Sequence, residues 1–395
     1  MAGVTTGIIA EYNPLHTGHQ YHIDQAVSLS GANRIIAVIS GPFTQRGDPA
    51  LLSPQARAEM ALLAGADMVF EIPVLFSVND ANRFAAGGVA LLTQLGCTHI
   101  AFGCETDDLS LFIRASELIQ KPTSLFQSDL HTSLAQGCSY AKALGTALQN
   151  AFQTDAFTRP NNILSICYLN AIKALNSPLI PVPIKRLGDY HEKTLPGEGF
   201  YPSATAVRHA ILRRDWQQVC TMTTAAAYQI IRREEGLRRI HEPNGLDNAM
   251  RAFLLAATRE SLQSLPGSEE GLDALILKHR DHALTRAAIV TAMKSKRYTY
   301  TRLNRLITYM MLSINKEMFY DKPFYTRLLG LWSKSSQWIK EIKGSSLITI
   351  IEKAADYDKT TSSFSADIRA YDLWALGAGL PFGEGLRQSP VVDPN

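Results

Sequence analysis

The chain has 395 residues, 46% hydrophobic and 19% charged, a composition that argues against general disorder and leaves room for two domains. Its net charge of +3 is close to neutral, so a nucleic-acid surface has to be a local patch. The five cysteines (Cys97, Cys104, Cys138, Cys167 and Cys220) form no CxxC pair and no zinc-type spacing with histidine, which favours reduced, buried thiols over a metal centre or a disulfide framework.

No basic stretch precedes the first apolar run and Glu11 interrupts it, so no signal peptide is expected. The most apolar window, Ile163 to Ile184, carries Asn170, Lys173, Asn176 and three prolines and is too broken to span a membrane. A soluble, cytoplasmic protein is expected.

The first half alternates short β-branched runs with helical stretches. Strands are expected at Val4–Ala10, Arg34–Ser40, Met68–Ile72, His99–Gly103 and Ile180–Ile184, with helices at Gly18–Leu29, Pro54–Ala64 and Asn82–Leu95. Near-continuous apolar strands alternating with helices imply an α/β fold with a parallel sheet covered on both faces. Ligands bind such sheets beyond the carboxyl ends of the strands.

The first strand runs into Glu11-Tyr12-Asn13-Pro14-Leu15-His16-Thr17-Gly18-His19. Two histidines three residues apart in an opening helical turn look the same way. Beside them the helix N-terminus offers free N–H groups and a positive dipole end, a seat for a polyphosphate. Gly18 lets a ligand approach the backbone. The alternative is a helix start with two surface histidines; the strand before it favours function.

After the second strand, Gly41-Pro42-Phe43-Thr44-Gln45-Arg46-Gly47-Asp48-Pro49-Ala50 is either a shaped loop meeting an acidic or polar substrate through Gln45 and Arg46, or a solvated connector; composition leaves these even. The Phe102-Gly103-Cys104-Glu105 turn follows the fourth strand. Gln120 to Gly145 reads as inserted helices. Pro160-Asn161-Asn162-Ile163-Leu164 offers amides suited to an adenine edge or a ribose, or simply caps a helix. Lys185-Arg186-Leu187-Gly188-Asp189-Tyr190-His191 follows the last strand and adds charge.

Ser203 is a natural N-cap, with Thr205 in the first turn and Arg208 one turn on, able to fold back toward an anion. Alone this is an ordinary capped helix; with the HxGH turn it becomes a second phosphate clamp. Beyond it no strand is expected. Thr205–Leu212, Thr223–Leu237, Ala249–Leu265, Gly271–Ser295, Thr301–Met318 and Tyr325–Lys343 all read as helices. The expected domains are therefore residues 1–215, a helical 216–376, and a loose Gly- and Pro-rich tail, 377–395. Lys294 to Arg305 holds five basic residues and two tyrosines without an acid, suited to phosphates and unpaired bases. A solvated basic face is the alternative.

In order, GIIAEYNPLHTGHQYH, SGPFTQRGDPA, FGCE, PNNIL, IKRLGDYHE, SATAVR and SKRYTYTRLNR resemble the bacterial tRNA(Met) cytidine acetate ligase family of the HIGH-type nucleotidyltransferase superfamily. The resemblance implies a Rossmann-like nucleotidyltransferase domain followed by an all-helical C-terminal domain. It implies activation of acetate with ATP to acetyl-adenylate, then transfer of the acetyl group to N4 of the wobble cytidine of elongator tRNA(Met). In that chemistry His16 and His19 are expected to be the catalytic donors to the phosphate oxygens, and the ATP site is carried over by motif. The ATP site takes in Ile9, Ala10, Glu11, Tyr12, Asn13, Pro14, Leu15, Thr17, Gly18, Gln20, Tyr21, His22, Gly103, Asn161, Asn162 and Arg186, with Ser203, Thr205 and Arg208 on the pyrophosphate. Lys296, Arg297, Arg302 and Arg305 are assigned to the tRNA backbone. Asp189 and His191 are candidate bases for the second step.

Two places depart from the family pattern: Pro42 stands where Asn is usual, and Asn79-Asp80-Ala81-Asn82-Arg83-Phe84 is an uncommon version of its block. Mg²⁺ usually accompanies ATP, but no dedicated carboxylate cage is visible in the sequence, and neither a metal site nor an obligate protein partner is expected. The alternatives are a small-molecule adenylyltransferase acting on a phosphorylated metabolite, and a non-catalytic RNA-binding protein that has kept a nucleotide fold.

Overall fold

The computed structural model describes residues 3–187, 201–282, 284–320, 325–353 and 361–394. Five parallel strands form where the apolar runs predict them: β1 (Thr5–Ala10), β2 (Arg34–Ser40), β3 (Met68–Ile72), β4 (His99–Cys104) and β5 (Ile180–Lys185). Pro181 and Pro183 in β5 fit its place at the sheet edge, where a missing N–H breaks no ladder. Three more strands follow late in the chain: β6 (Tyr325–Leu331), β7 (Thr349–Ile351) and β8 (Val391–Val392). The order is β5-β4-β1-β2-β3-β6-β7, with β8 on β6; only β6 runs antiparallel to its neighbour β3.

From β1 the chain steps one way through β2 and β3, then returns to place β4 on the other side of β1. The carboxyl ends of β1 and β4 therefore border the crevice where strand order reverses. The histidine turn leaves β1 there, and Gly103 and Arg186 arrive from β4 and β5.

Each strand face has its own core, as pleat alternation requires. Ile36 and Val38 of β2 point to a cluster that includes the Ala81–Gln94 helix through Val89 and Leu92, and late residues Met250, Leu303, Ile307 and Trp374. Ile35, Ala37 and Ile39 point to the opposite cluster, with Ile23, Ala61, Val207 and Ile231. The late helices thus share these two cores with the sheet of the first half.

Several expectations are corrected. The Tyr325–Lys343 segment begins as β6, buried along its whole length, and becomes helical only at Ser336–Ser345. A short strand buried on both faces lacks the alternation that separates it from a helix. The part after Ser203 is therefore not all-helical. Residues 377–395 are not a loose tail among those described. Val391 and Val392 pair with Gly330 and Leu331, and Arg327 Nη2 donates to the carbonyls of Gly385 (3.0 Å) and Gln388 (2.9 Å). A buried guanidinium supplies the donors that this Gly- and Pro-rich segment cannot supply for itself. The expected helix at Gly271–Ser295 divides into Leu272–His279 and Arg286–Met293, and the inserted region forms Ser124–Ala135 and Tyr140–Phe152. Among the described residues no helix is long and apolar enough to cross a membrane.

Candidate active site

The Thr17–Ser30 helix begins one residue later than His16, which is its N-cap. His16 Nδ1 accepts from Gly18 N–H (3.1 Å), and His19 Nδ1 accepts from His16 N–H (3.3 Å), a capping box made of two imidazoles. Accepting at Nδ1 fixes both neutral rings with their proton on Nε2. The rings lie against each other with centroids 3.8 Å apart, and Tyr12 meets His19 edge-on at 5.1 Å. Tyr12 itself sits at φ +46°, a left-handed conformation that bends the chain sharply between strand and helix.

Burial drives the His16 pKa down to about 3, with the Arg186 and Arg208 guanidiniums adding to the shift. Burial also holds His19 well below the ordinary range, with His16, Arg186 and His22 adding, and lowers His22 to about 4. At neutral pH the site therefore presents uncharged Nε2–H donors that need not lose a proton first. His22, one more turn along the same face, has a buried Nε2 without a hydrogen-bond partner. Arg186 and Arg208 are depressed chiefly by burial; Glu105 and Glu11 are the first carboxylates to oppose this. Two partly desolvated guanidiniums beside neutral imidazoles suit a polyanion.

The second clamp forms as the sequence predicts. Ser203 caps the Ala204–Leu212 helix, accepting from Ala206 N–H at 3.1 Å. Arg208 folds back, donating to Thr205 Oγ1 (3.0 Å) and to Asn13 O (2.8 Å), which ties this helix start to the histidine turn. Tyr21 and Tyr201 stack at 5.0 Å at the junction.

All of this opens on one cavity of about 1710 Å³. Of the residues assigned to ATP chemistry, Ile9, Ala10, Glu11, Tyr12, Asn13, His16, Gly18, His19, Tyr21, His22, Gly103, Asn161, Arg186, Ser203, Thr205 and Arg208 line it. Others do not. Leu15 is core, Thr17 donates to Met222 O, and Gln20 donates to Asp24 and Ala64 O. Asn162 is fully buried and committed: its Oδ1 accepts from Glu105 and Thr106 N–H, and its Nδ2 donates to Ala156 O (2.8 Å). It shapes the turn after β4 rather than offering an amide to a ligand. Asp189 and His191 lie outside the described residues.

The cavity continues to the late helices, where Arg297, Arg302 and Arg305 line it and Lys296 does not. Ten arginines and lysines face it against four carboxylates, so its field favours anions along its length. The basic stretch is less unpaired than its local sequence suggests. Glu270 takes Arg297 at 2.9 Å and Arg302 at 3.5 Å, and Tyr298 lies beside both guanidiniums.

Two functional positions escaped sequence reasoning. Glu105 accepts from Asn161 Nδ2 (2.7 Å) and Asn162 N–H (3.0 Å), seating the N-terminus of the Pro160–Ala174 helix beside Gly103. Arg57, fully buried, donates to the carbonyls of Glu11 (2.7 Å), Ser40 (3.0 Å), Leu52 (3.2 Å) and Gly41, joining the turns after β1 and β2. The signal for Arg57 was a lone cation on a helix otherwise rich in alanine; nothing local marked it as internal.

A model of the HIGH Nucleotidyl Transferase family matches residues 4–381. The chain is 34% identical over 362 residues to the tRNA(Met) cytidine acetate ligase of Geobacillus sp. (strain WCH70), covering 89% of each chain. It is 31% identical over 392 residues to that of Bacillus subtilis (strain 168), covering 96% of this chain and 93% of the relative. Among solved structures, Thermotoga maritima TmcAL bound with alpha-thio ATP superposes with a TM-score of 0.87 at 26% identity, and its apo form with 0.90 at 27%; each covers 98% of this chain and 99% of the other. With a nucleotidyltransferase-type histidine turn at the switch point of its sheet and full-length relatives of one kind, the chain belongs to the HIGH nucleotidyl transferase family and, within it, to the tRNA(Met) cytidine acetate ligases.

Proposed function

We propose that this protein is an ATP-dependent ligase that activates acetate as acetyl-adenylate and passes the acetyl group to N4 of the wobble cytidine of elongator tRNA(Met). The observation that carries the reading is the pair of neutral Nε2–H imidazoles at the head of one cation-lined cavity that runs on to Arg297, Arg302 and Arg305. The relatives' name and the ATP analogue bound by the Thermotoga protein support the same reading.

Acetate, with a pKa near that of a Glu side chain, is already a carboxylate at neutral pH, so the first step needs alignment rather than a base. A carboxylate oxygen attacks the α-phosphorus and pyrophosphate leaves. His16 and His19 donate to the phosphate oxygens as charge grows on them. Ser203, Thr205 and Arg208, at a helix N-terminus, hold the leaving pyrophosphate. Arg186, beside Gly103, lies where it can offset charge on the adenylate. In the second step the cytosine amine attacks the acetyl carbonyl and AMP leaves; the mixed anhydride compensates for a poor nucleophile. A wobble base sits in a single-stranded loop, so presenting it costs less than extruding it from a duplex. A cytoplasmic location, where that substrate is found, belongs to the same proposal.

The test is incubation with ATP, labelled acetate and total bacterial tRNA, followed by digestion to nucleosides. Label in N4-acetylcytidine from tRNA(Met) is expected. ATP turnover dependent on a phosphorylated metabolite, with no label in RNA, would replace the reading with a small-molecule adenylyltransferase.

A further inference from the structure

The Thr44–Asp48 loop is held more firmly than a connector needs. Thr44 N–H donates to Asp48 O at 2.8 Å, and Gly47 N–H to Thr44 O at 2.9 Å. From the Tyr300–Met311 helix, Asn304 Nδ2 donates to Arg46 O (2.9 Å) and Asp48 Oδ1 (2.8 Å), and Thr308 Oγ1 donates to Gly47 O (2.8 Å). Arg286, buried behind them, donates to the same Gly47 carbonyl and through Nε to Asn304 Oδ1 at 2.8 Å. Gly47 sits at φ +88°, and a Cβ there would lie 3.0 Å from Arg305 Cα, so loop and helix touch backbone to backbone. On its other side the loop reaches the nucleotide turn, with Gln45 N–H donating to Glu11 Oε1 at 2.8 Å.

A loop fixed at three consecutive residues presents its outward side chains in a set direction. Arg46 and Asp48 are both exposed and line the cavity; Asp48 Oδ1 is taken by Asn304, and Arg46 stands with Arg302 and Arg305 of the gripping helix. Arg186 and Arg208, the guanidiniums beside the histidines, are half-buried, whereas Arg46 is exposed. A solvent-facing guanidinium suits a phosphate of a long polyanion that stays hydrated, rather than a small enclosed anion.

We propose, on the reading that the substrate is tRNA, that Arg46 is an RNA-phosphate contact extending the Arg302–Arg305 row to the mouth of the nucleotide pocket, and that Asn304 and Arg286 are the positioning residues that set it there. The helix that holds the RNA is thereby tied through one loop to Glu11, so RNA binding and the nucleotide turn share a rigid support.

The experiment compares wild type, Arg46→Ala, Asn304→Ala and the double variant in two half-reactions. One is acetate-dependent ATP–pyrophosphate exchange without RNA. The other is acetyl transfer to a tRNA(Met) transcript between about 50 and 200 mM salt. For Arg46→Ala the ratio of transfer to exchange falls about tenfold through KM for RNA, and the log–log salt slope flattens by about 0.7. The double variant loses little beyond Arg46→Ala, because Asn304 acts through Arg46. Transfer and exchange falling in step would make Arg46 a nucleotide residue and overturn the proposal, as would an unchanged salt slope. Additive losses in the double variant remove the positioning role. Arg46 is exposed, so its variant tests the RNA contact even where Asn304→Ala misfolds. Wild type that exchanges pyrophosphate but never acetylates RNA breaks the ligase reading instead.

Discussion

On the proposed reading His16 has two tasks for two atoms, and a single substitution separates them. Nδ1 caps the Thr17–Ser30 helix by accepting from Gly18 N–H, and Nε2 is left as a donor at the cavity head. Asn at this position keeps an acceptor on Cγ, the same number of bonds from Cα as the imidazole Nδ1, and ranks among the best N-caps, whereas Ala loses cap and donor together. His16→Ala should therefore lose about 0.5–2 kcal/mol of stability that His16→Asn retains. Both variants lack the Nε2 donor, and removing one donor to developing charge costs about 10²–10³ in rate, about 2.7–4 kcal/mol of barrier. The rate is read as acetate-dependent ATP–pyrophosphate exchange and stability as the urea midpoint at pH 7.5. The expected pattern is equal, severe loss of exchange with a midpoint difference between the variants. His16→Asn exchanging at more than about a tenth of the wild-type rate would show that the ring is not aimed at reacting phosphate. Equal midpoints would show that the imidazole cap contributes nothing to folding.

Two further outcomes follow from the same core. His16 at about 3, and His22 and His241 at about 4, titrate in the folded protein well below the unfolded value, chiefly through burial. The unfolded chain therefore binds more protons below pH ~6.5. Stability is complete above that value and drains as pH falls toward 3–4, by up to about 1.4 kcal/mol per pH unit for each histidine. Urea midpoints at pH 7 and 5 measure this; a midpoint at pH 5 equal to that at pH 7 contradicts buried neutral imidazoles. Arg57→Met leaves the carbonyls of Glu11, Ser40, Gly41 and Leu52 without their shared donor and should cost about 1–3 kcal/mol for each carbonyl that finds no other donor. It should also raise KM for ATP, because Glu11 begins the histidine turn. Wild-type stability in that variant would mean that the carbonyls find other donors.

What the sequence made legible was whatever chemistry is written locally. Strands β1 to β4 are buried over most of their length and so read as near-continuous apolar runs, and the histidine turn lies at the end of the first. Ser203 and Arg208 could be paired from spacing because a helix fixes which residues share a face. Most of the misreadings involve partners far apart in the chain. The segment Tyr325–Leu331 matches helical spacing as well as it matches a covered strand, and only its place beside β3 decides between them. Asn162 carried a plausible ligand amide until Glu105, Thr106 and Ala156 closed around it. The basic stretch had no acid among its neighbours in sequence, yet Glu270 reaches two of its arginines from the segment before the Leu272–His279 helix. Arg57 shows why such cases resist local reading: its side chain makes no ion pair that charge patterning could anticipate. It answers four backbone carbonyls, a demand that exists only once the turns after β1 and β2 have been brought together. A site assembled at the ends of parallel strands collects its supports this way, because each turn carries polar backbone that its own residues cannot satisfy. The donors come from whichever element packs behind it, and in this protein they are Arg57, Arg286 and Asn304.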